Sequence, residues 1–531
     1  MTRKITAAAL KAMINDGNEL ALLDVREHGE YGEGHPLFVV SIPYSVLESE
    51  IDARVPRRNV RMVLVGGNNG IAERAAERLI RVGYTDVSIL DGGVDAWASA
   101  GYVVFKGENV PSKAFAEVVE HANHTPSIPA DELQAMLDAK QDIVVLDTRT
   151  PEEFKRMSIP TGINVPGAEL AYRVHDLVPS PDTLVVVNCA GRTRSIIGAQ
   201  SLINARIPNK VVALRGGTQG WVLSGLELAH GADESFGPVS PQGEAKSKEV
   251  MTAVRKRYGV KSIDRATLEQ WRTETDQRTL HIMDVRDASE YAAGHLPGAT
   301  SAPGGQLVQA SDRWVGTRGA RLVLVDDTEV RATMTAHWLV QMRWDVYVLE
   351  GGIGNDATDT STPPRNLLGQ DDYVTEEISA TDLDAQLKAG DALALDLDLS
   401  TAYREGHLPG AIWSIRPRIA QTIASLPKGK KIVLYSEHET RARLAVLDAK
   451  ACTDAPVAIL SGGRQAWNAA GLPLESSPTS PTDSESIDFL FFVHDRHQGN
   501  KDSMRAYLAW EEQLPAQIAE DGDAQFQIPS A

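Results

Sequence analysis

A fourfold internal repeat limits what this chain can fold into more than any other feature. Four apolar runs end in aspartate: LALLDVR at Asp24, IVVLDTR at Asp147, LHIMDVR at Asp284 and LALDLDL at Asp396. Each is followed by a double glycine, at Gly92-Gly93, Gly216-Gly217, Gly351-Gly352 and Gly462-Gly463, which lies 68, 69, 67 and 66 residues after its aspartate. Chance does not hold a spacing so constant over four copies. Trp97, Trp221 and Trp467 follow three of the glycine pairs by the same step, and the third copy, GGIGNDA, lacks the tryptophan. The units are too long for solenoid repeats and have the size of ordinary domains. The divisions expected are 1–106, 125–230, 260–355 and 375–475, with a tail at 485–531. Stretches 107–126, 230–248, 356–370 and 475–485, rich in polar residues, Gly, Pro or Ser, read as linkers.

Within each unit short apolar runs (143–146, 184–187, 211–214) alternate with helix-like stretches such as 130–139 and 195–205. Strands apolar on both faces and alternating with helices predict an α/β fold, each domain a parallel sheet with helices on both faces. In such sheets chemistry sits at the carboxyl ends of strands. The formal net charge of -19 argues against nucleic acid or an anionic membrane as partner. The N-terminus has no apolar signal core, and no apolar run is long enough to span a bilayer. With two cysteines, Cys189 and Cys452, a disulfide framework is excluded and no metal site is expected. The chain reads as cytoplasmic.

The second unit contains TLVVVNCAGRTRSIIGAQSLINA. A buried strand runs into Cys189, a short loop follows (Ala190, Gly191, Arg192, Thr193, Arg194), and a helix is predicted to start near Ser195. Loop N–H groups and the helix N-terminus can form an anion nest, which Gly191 permits and to which Arg192 and Arg194 add positive charge. Such surroundings favour the thiolate, the reactive form. The same donors suit an anionic substrate. A lone strand-end cysteine is ordinarily a small buried hydrophobe, but a buried cysteine needs no arginines beside it.

This strand–Cys–loop–Arg–helix unit, the preceding Asp147, Arg149, Glu152, Glu153 and Phe154, and the following RGGTQGW at 215–221 resemble the rhodanese homology domain. The other units carry forms of its E-Y/Y-R…G-H-x-P segment at Glu30-Tyr31…Gly34-His35-Pro36, Glu290-Tyr291…Gly294-His295 and Tyr403-Arg404…Gly406-His407. The whole resembles bacterial proteins with four tandem rhodanese domains. The resemblance implies a sulfurtransferase without cofactor. In it, Cys189 takes the outer sulfur of thiosulfate as a persulfide and passes it to cyanide or a thiol. It implies that Arg192 and Arg194 bind the donor's sulfonate, and that the backbone of Ala190, Gly191, Thr193 and Ser195 holds the persulfide. The six-residue loop suits sulfur transfer in this family, whereas related phosphatases and arsenate reductases have a loop one residue longer. A persulfide carrier or scaffold that delivers sulfur to a partner protein is the alternative.

The cysteine position falls at Gly66, Asp326 and Ser436 in the other units, so three domains are expected to be inactive scaffold or homodimerisation modules, with binding of ligands or carrier proteins as the alternative. Asp326 and Glu329 are expected to repel an anion from the third loop. His35, His295 and His407 are absent from the cysteine-bearing unit, where Met157-Ser158 stands instead, and read as structural turn residues. Arg173 is placed at a pocket wall, either binding an anion or forming a plain salt bridge. Asp147 and Arg149 are expected to brace the sheet, and Cys452 to be structural. The tail, with Tyr507, Leu508, Trp510 and Leu514, reads as an amphipathic helix packing on another module or a second subunit. His494, Asp495 and His497 read as a satisfied loop rather than a metal site.

Overall fold

In a computed structural model the described residues are 2–354, 356–361 and 366–529, apart from the side chains at 497 and 498. The third domain's predicted end, at 355, and part of the 356–370 linker lie outside them, as does the side chain of His497.

Each repeat forms a five-stranded sheet. In the second repeat the strands are β1 (Ser127–Ile128), β2 (Ile143–Asp147), β3 (Ile163–Asn164), β4 (Leu184–Asn188) and β5 (Val211–Leu214). They pair in parallel in the order β1-β5-β4-β2-β3, and the other three sheets repeat that order. Parallel strands need crossovers, and helices supply them on both faces. Every residue of β4 is buried, as its unbroken apolar run requires.

The repeated motifs have structural reasons. Trp97, Trp221 and Trp467 are fully buried, and each indole N–H donates to a carbonyl six residues on, Val103, Glu227 and Pro473, at 2.8, 2.9 and 2.9 Å. The third repeat, which has no such tryptophan, makes turns after Gly351 where the others make a helix. Asp147 and Arg149 form a buried two-point ion pair, and Arg149 also donates to Met157 O at 2.6 Å. Arg26 with Asp24, and Arg286 with Asp284, repeat this brace, reaching Gly34 O and Gly294 O. In the fourth repeat Asp398 replaces the arginine, and Arg464 arrives from the glycine turn to donate to Gly406 O at 2.6 Å.

Contacts divide the chain into two units. One holds residues 1–13, 20–107 and 365–491, and thus the first and fourth repeats. At its centre the fully buried Arg416 donates to both oxygens of Glu48, at 2.6 and 2.9 Å, and to Asp448 at 2.8 Å. The other holds residues 14–19, 108–364 and 492–531, and thus the second and third repeats with the tail. There Arg331, also fully buried, donates to Glu169 at 2.8 Å, Glu290 at 2.6 Å and Asp327 at 2.6 Å.

The stretches read as linkers are not all irregular. Residues Val110–Asn123 form a helix with a proline in its first turn, and Pro241–Tyr258 form a longer one capped by Ser240. Both pack inside the second unit, where they contribute Phe115, Met251 and Val254 to its largest apolar cluster.

The histidines of the repeat stack on the tyrosine four residues before them, at centroid distances of 4.1 Å for Tyr31–His35, 3.8 Å for Tyr291–His295 and 4.0 Å for Tyr403–His407. Burial drives the His35 ring down to about 4, against hydrogen bonds to Pro36 O and Gly107 O. The unfolded chain takes up that proton near its ordinary value, while the folded chain resists it. This contribution to stability is therefore complete above about pH 6.5 and is lost as the pH falls towards 4, at most about 3 kcal/mol. Urea unfolding of wild type and His35→Gln from pH 7 to 4 checks this: wild type is expected to lose more stability over that interval than the variant.

Candidate active site

Cys189 directly follows the buried strand β4, and 2% of it is exposed. The position is fixed from both sides. Asn188 donates to Asp147 Oδ2 at 2.7 Å, tying the strand end to the Asp–Arg brace. Cys189 O accepts from Thr218 N at 2.8 Å and Ala190 O from Gln219 N at 3.2 Å. The second glycine of the pair makes this approach possible: Gly217 has φ +54°, and a Cβ there would stand 2.3 Å from Cys189 O. The same contact recurs in the other repeats, from Gly93 to Gly66 O, Gly352 to Asp326 O and Gly463 to Ser436 O, at 2.1, 2.2 and 2.3 Å. Gly66, Asp326 and Ser436 are thus the spatial counterparts of Cys189.

The helix after the loop begins at Thr193, two residues earlier than predicted, and runs to Asn204. Its first N–H groups have no partner within the helix and face back towards the strand end. The third repeat shows what such a loop holds. Asp326 Oδ1 accepts from Glu329 N at 2.6 Å, and Oδ2 accepts from Arg331 N at 2.9 Å. Asp326 therefore does not merely repel an anion, as expected from the sequence: it fills the loop with its own carboxylate, which burial pushes up to about 6. Arg192 and Arg194 stand at the positions in the second repeat that Glu329 and Arg331 hold in the third, although Glu329 is left-handed, at φ 64°, where Arg192 has φ -119°. The thiol itself donates to Ser195 Oγ at 3.5 Å, and that hydroxyl donates to Arg192 O at 2.9 Å.

The arginines divide. Arg194 makes a two-point pair with Glu153, at 2.6 and 2.7 Å. Burial works against its cation, but Glu153 first, and then Cys189 and Asp147, outweigh that and hold it above its ordinary value. Burial also opposes the Glu153 carboxylate, yet Arg194 and Arg149 hold it down at about 2. Arg192 turns to carboxylates of two other helices: Glu117 at 2.7 Å through two nitrogens, Glu120 at 2.5 Å and Glu512 at 3.2 Å. Burial pushes Glu117 up to about 7 against the pull of Arg192. Arg173 pairs with Glu169 at 2.7 Å and donates to Gly237 O at 2.9 Å, which is the salt-bridge option rather than the anion-binding one.

Sequence reasoning missed the roof of the site. The C-terminal helix Lys501–Asp521 packs on the linker helix Val110–Asn123 and reaches the loop. Glu511 accepts from Thr193 Oγ1 at 3.2 Å, and a Cβ on Gly191 would lie 3.2 Å from its other oxygen. The tail thus packs on the cysteine-bearing module, one of the two places expected for it. Beside the loop lies a cavity of about 140 Å³, bounded by Arg149, Glu153, Ala190, Gln219, Arg496 and Met504 among others. Cys452 is exposed, and its Sγ lies 3.1 Å from Ala449 O at a helix end.

Fold and site together define a doubly wound α/β domain with a thiol at the mouth of an amide-lined loop, repeated in tandem with one copy keeping the thiol. The family described as Rhodanese-like domain matches residues 6–100, 129–224, 266–356 and 379–470. The chain belongs to that family. It is similar over 99% of both chains to the crystal structure of a thiosulfate sulfurtransferase from Pseudomonas aeruginosa, with 45% identity and a TM-score of 0.94. The Mycobacterium tuberculosis protein SseB is 28% identical, over 31% of this chain and 71% of its own. A sulfurtransferase of Allochromatium vinosum is 28% identical over 19% of this chain and 92% of its own.

Proposed function

We propose that this chain is a thiosulfate sulfurtransferase that carries sulfane sulfur as a persulfide on Cys189. One observation carries the reading: Cys189 occupies the place where, in the third repeat, two loop amides bind a carboxylate. A loop that holds Asp326 in that way can hold a negatively charged sulfur at Cys189. The similarity to the Pseudomonas aeruginosa enzyme supports the assignment.

In the first half-reaction the Cys189 thiolate attacks the outer sulfur of thiosulfate, the S–S bond of the donor breaks, and sulfite leaves with the electron pair. The positive charge of Arg194, which Cys189 favours, is the one that would assist this step. Arg192 ties the loop to the two helices that cover it, and its share in binding the sulfonate is the smaller. In the second half-reaction cyanide or a thiol removes the outer sulfur. With 2% of Cys189 exposed beneath the C-terminal helix, small acceptors suit the site better than the docking of a carrier protein. Both thiols are free, so a reducing, cytoplasmic compartment suits the chemistry. Among the described residues no helix is long and apolar enough to cross a membrane.

Arg194→Ala is expected to lower kcat/KM for thiosulfate about 100-fold, in the range for loss of one preorganised electrostatic partner, and Arg192→Ala less than that. Steady-state kinetics with thiosulfate and cyanide measure both. Equal activity of Arg194→Ala and wild type would remove Arg194 from the mechanism.

A further inference from the structure

Two buried polar side chains converge on Gly191 without using their full hydrogen-bonding capacity. Glu511, 2% exposed, accepts from Thr193 Oγ1 and from Tyr507 OH through Oε1, while its Oε2 has no partner among the described residues. Gln219, 4% exposed, has neither its amide oxygen nor its amide nitrogen partnered there. A Cβ on Gly191 would stand 3.2 Å from Glu511 Oε2 and 3.4 Å from Gln219 Nε2. Leaving such atoms buried and unsatisfied costs about 1–3 kcal/mol each, so both groups are short of a polar partner that the described residues do not supply. Gly191 is two residues along the chain from Cys189, and Gln219 lines the cavity beside the loop together with Ala190.

The donor and acceptor set specifies the guest. An amide N–H, an amide oxygen and a carboxylate oxygen together suit a group that both donates and accepts. A fully ionised oxyanion would meet Glu511 as a like charge. A neutral thiol fits: its S–H donates to the carboxylate and its sulfur accepts from Gln219. We propose that Glu511, delivered by the C-terminal helix, is the general base of the second half-reaction, and that the acceptor is a small uncharged thiol. This rests on the Cys189 persulfide reading. The acceptor S–H bond breaks and its proton passes to Glu511 Oε2. The acceptor sulfur then bonds to the outer sulfur of the Cys189 persulfide. The bond between that sulfur and Cys189 breaks, and Cys189 keeps the electron pair as thiolate. Lys113, 3% exposed on the linker helix, has its amine lowered to about 8 by burial, against the pull of Glu108 and, less strongly, Glu511.

The test separates the two half-reactions in the full-length protein. Wild type and Glu511→Gln are loaded with thiosulfate, desalted and checked by mass spectrometry for sulfur on Cys189. Transfer at pH 8 is then timed with 2-mercaptoethanol, which is protonated, and with sulfite, which needs no proton removed. Loss of general-base help is expected to slow the thiol reaction of Glu511→Gln about 100-fold and to leave sulfite transfer within twofold. Equal slowing with both acceptors, or slowing with neither, overturns the proposal. Failure of wild type to load sulfur refutes the persulfide reading instead. A readout on wild type alone guards against a misfolded variant. With Glu511 as base, the rate with 2-mercaptoethanol rises less than tenfold per pH unit from 6 to 9; a full tenfold per unit, as free thiolate demands, overturns it.

Discussion

Cys189→Ser is expected to lose at least about 10³-fold in thiosulfate:cyanide turnover, because covalent catalysis has no substitute nucleophile at this loop. The structure makes the variant informative. The serine hydroxyl keeps the place of the sulfur and can still meet Ser195 Oγ, which the thiol reaches at 3.5 Å. The fold, resting on Thr218 N to Cys189 O at 2.8 Å and other backbone bonds, is untouched. The loss is thus one of chemistry and not of folding. Activity above 1% of wild type would mean that sulfur travels by another group.

The second large effect concerns stability. Arg331→Leu is expected to destabilise the protein by about 3–5 kcal/mol, the range for breaking a buried ion pair by removing one partner. Arg331 is fully buried and serves Glu169 of the second repeat and Glu290 and Asp327 of the third. Its removal takes a cation from two inner carboxylates: among the described residues the Glu169 side chain, 4% exposed, keeps only Arg173 as ion-pair partner, and that of Asp326, 0% exposed, keeps its backbone N–H donors. Arg331 also stacks 4.9 Å from the Tyr172 ring, so packing is lost together with charge. Urea unfolding of the whole chain checks this, and a change below about 1 kcal/mol would show that the carboxylates find water or other partners.

Much of this was legible in the chain because the signals were local. The glycine pair exists to let Gly217, at φ +54°, touch Cys189 O, and so its spacing from the Asp strand is held in every copy. Asp147 and Arg149 stand two residues apart and pair with each other, as a dipeptide-scale motif can. What escaped depends on distance along the chain. The ion pairs of Arg192 could not be read from the chain because the carboxylates it meets lie 72 and 75 residues before it and 320 after it. The helix Val110–Asn123 escaped because Gly107, Pro111 and Ser112 read as linker composition. Yet a proline in the first turn is itself a helix-start signal, since that N–H needs no partner. Glu511 could not be found from pattern: it is one acid among several on an amphipathic helix, given meaning only by the loop it lands on, 318 residues away.

The most direct measurement is peptide-resolved mass spectrometry of the full-length protein after exposure to thiosulfate and removal of excess donor. The chain carries its own control, because Cys452 is the more exposed of its two free thiols. If loop amides and Arg194 hold charged sulfur at one place, a single added sulfur atom appears on Cys189 and disappears when cyanide is added. Sulfur on Cys452 in preference to Cys189, or on neither, would contradict the account.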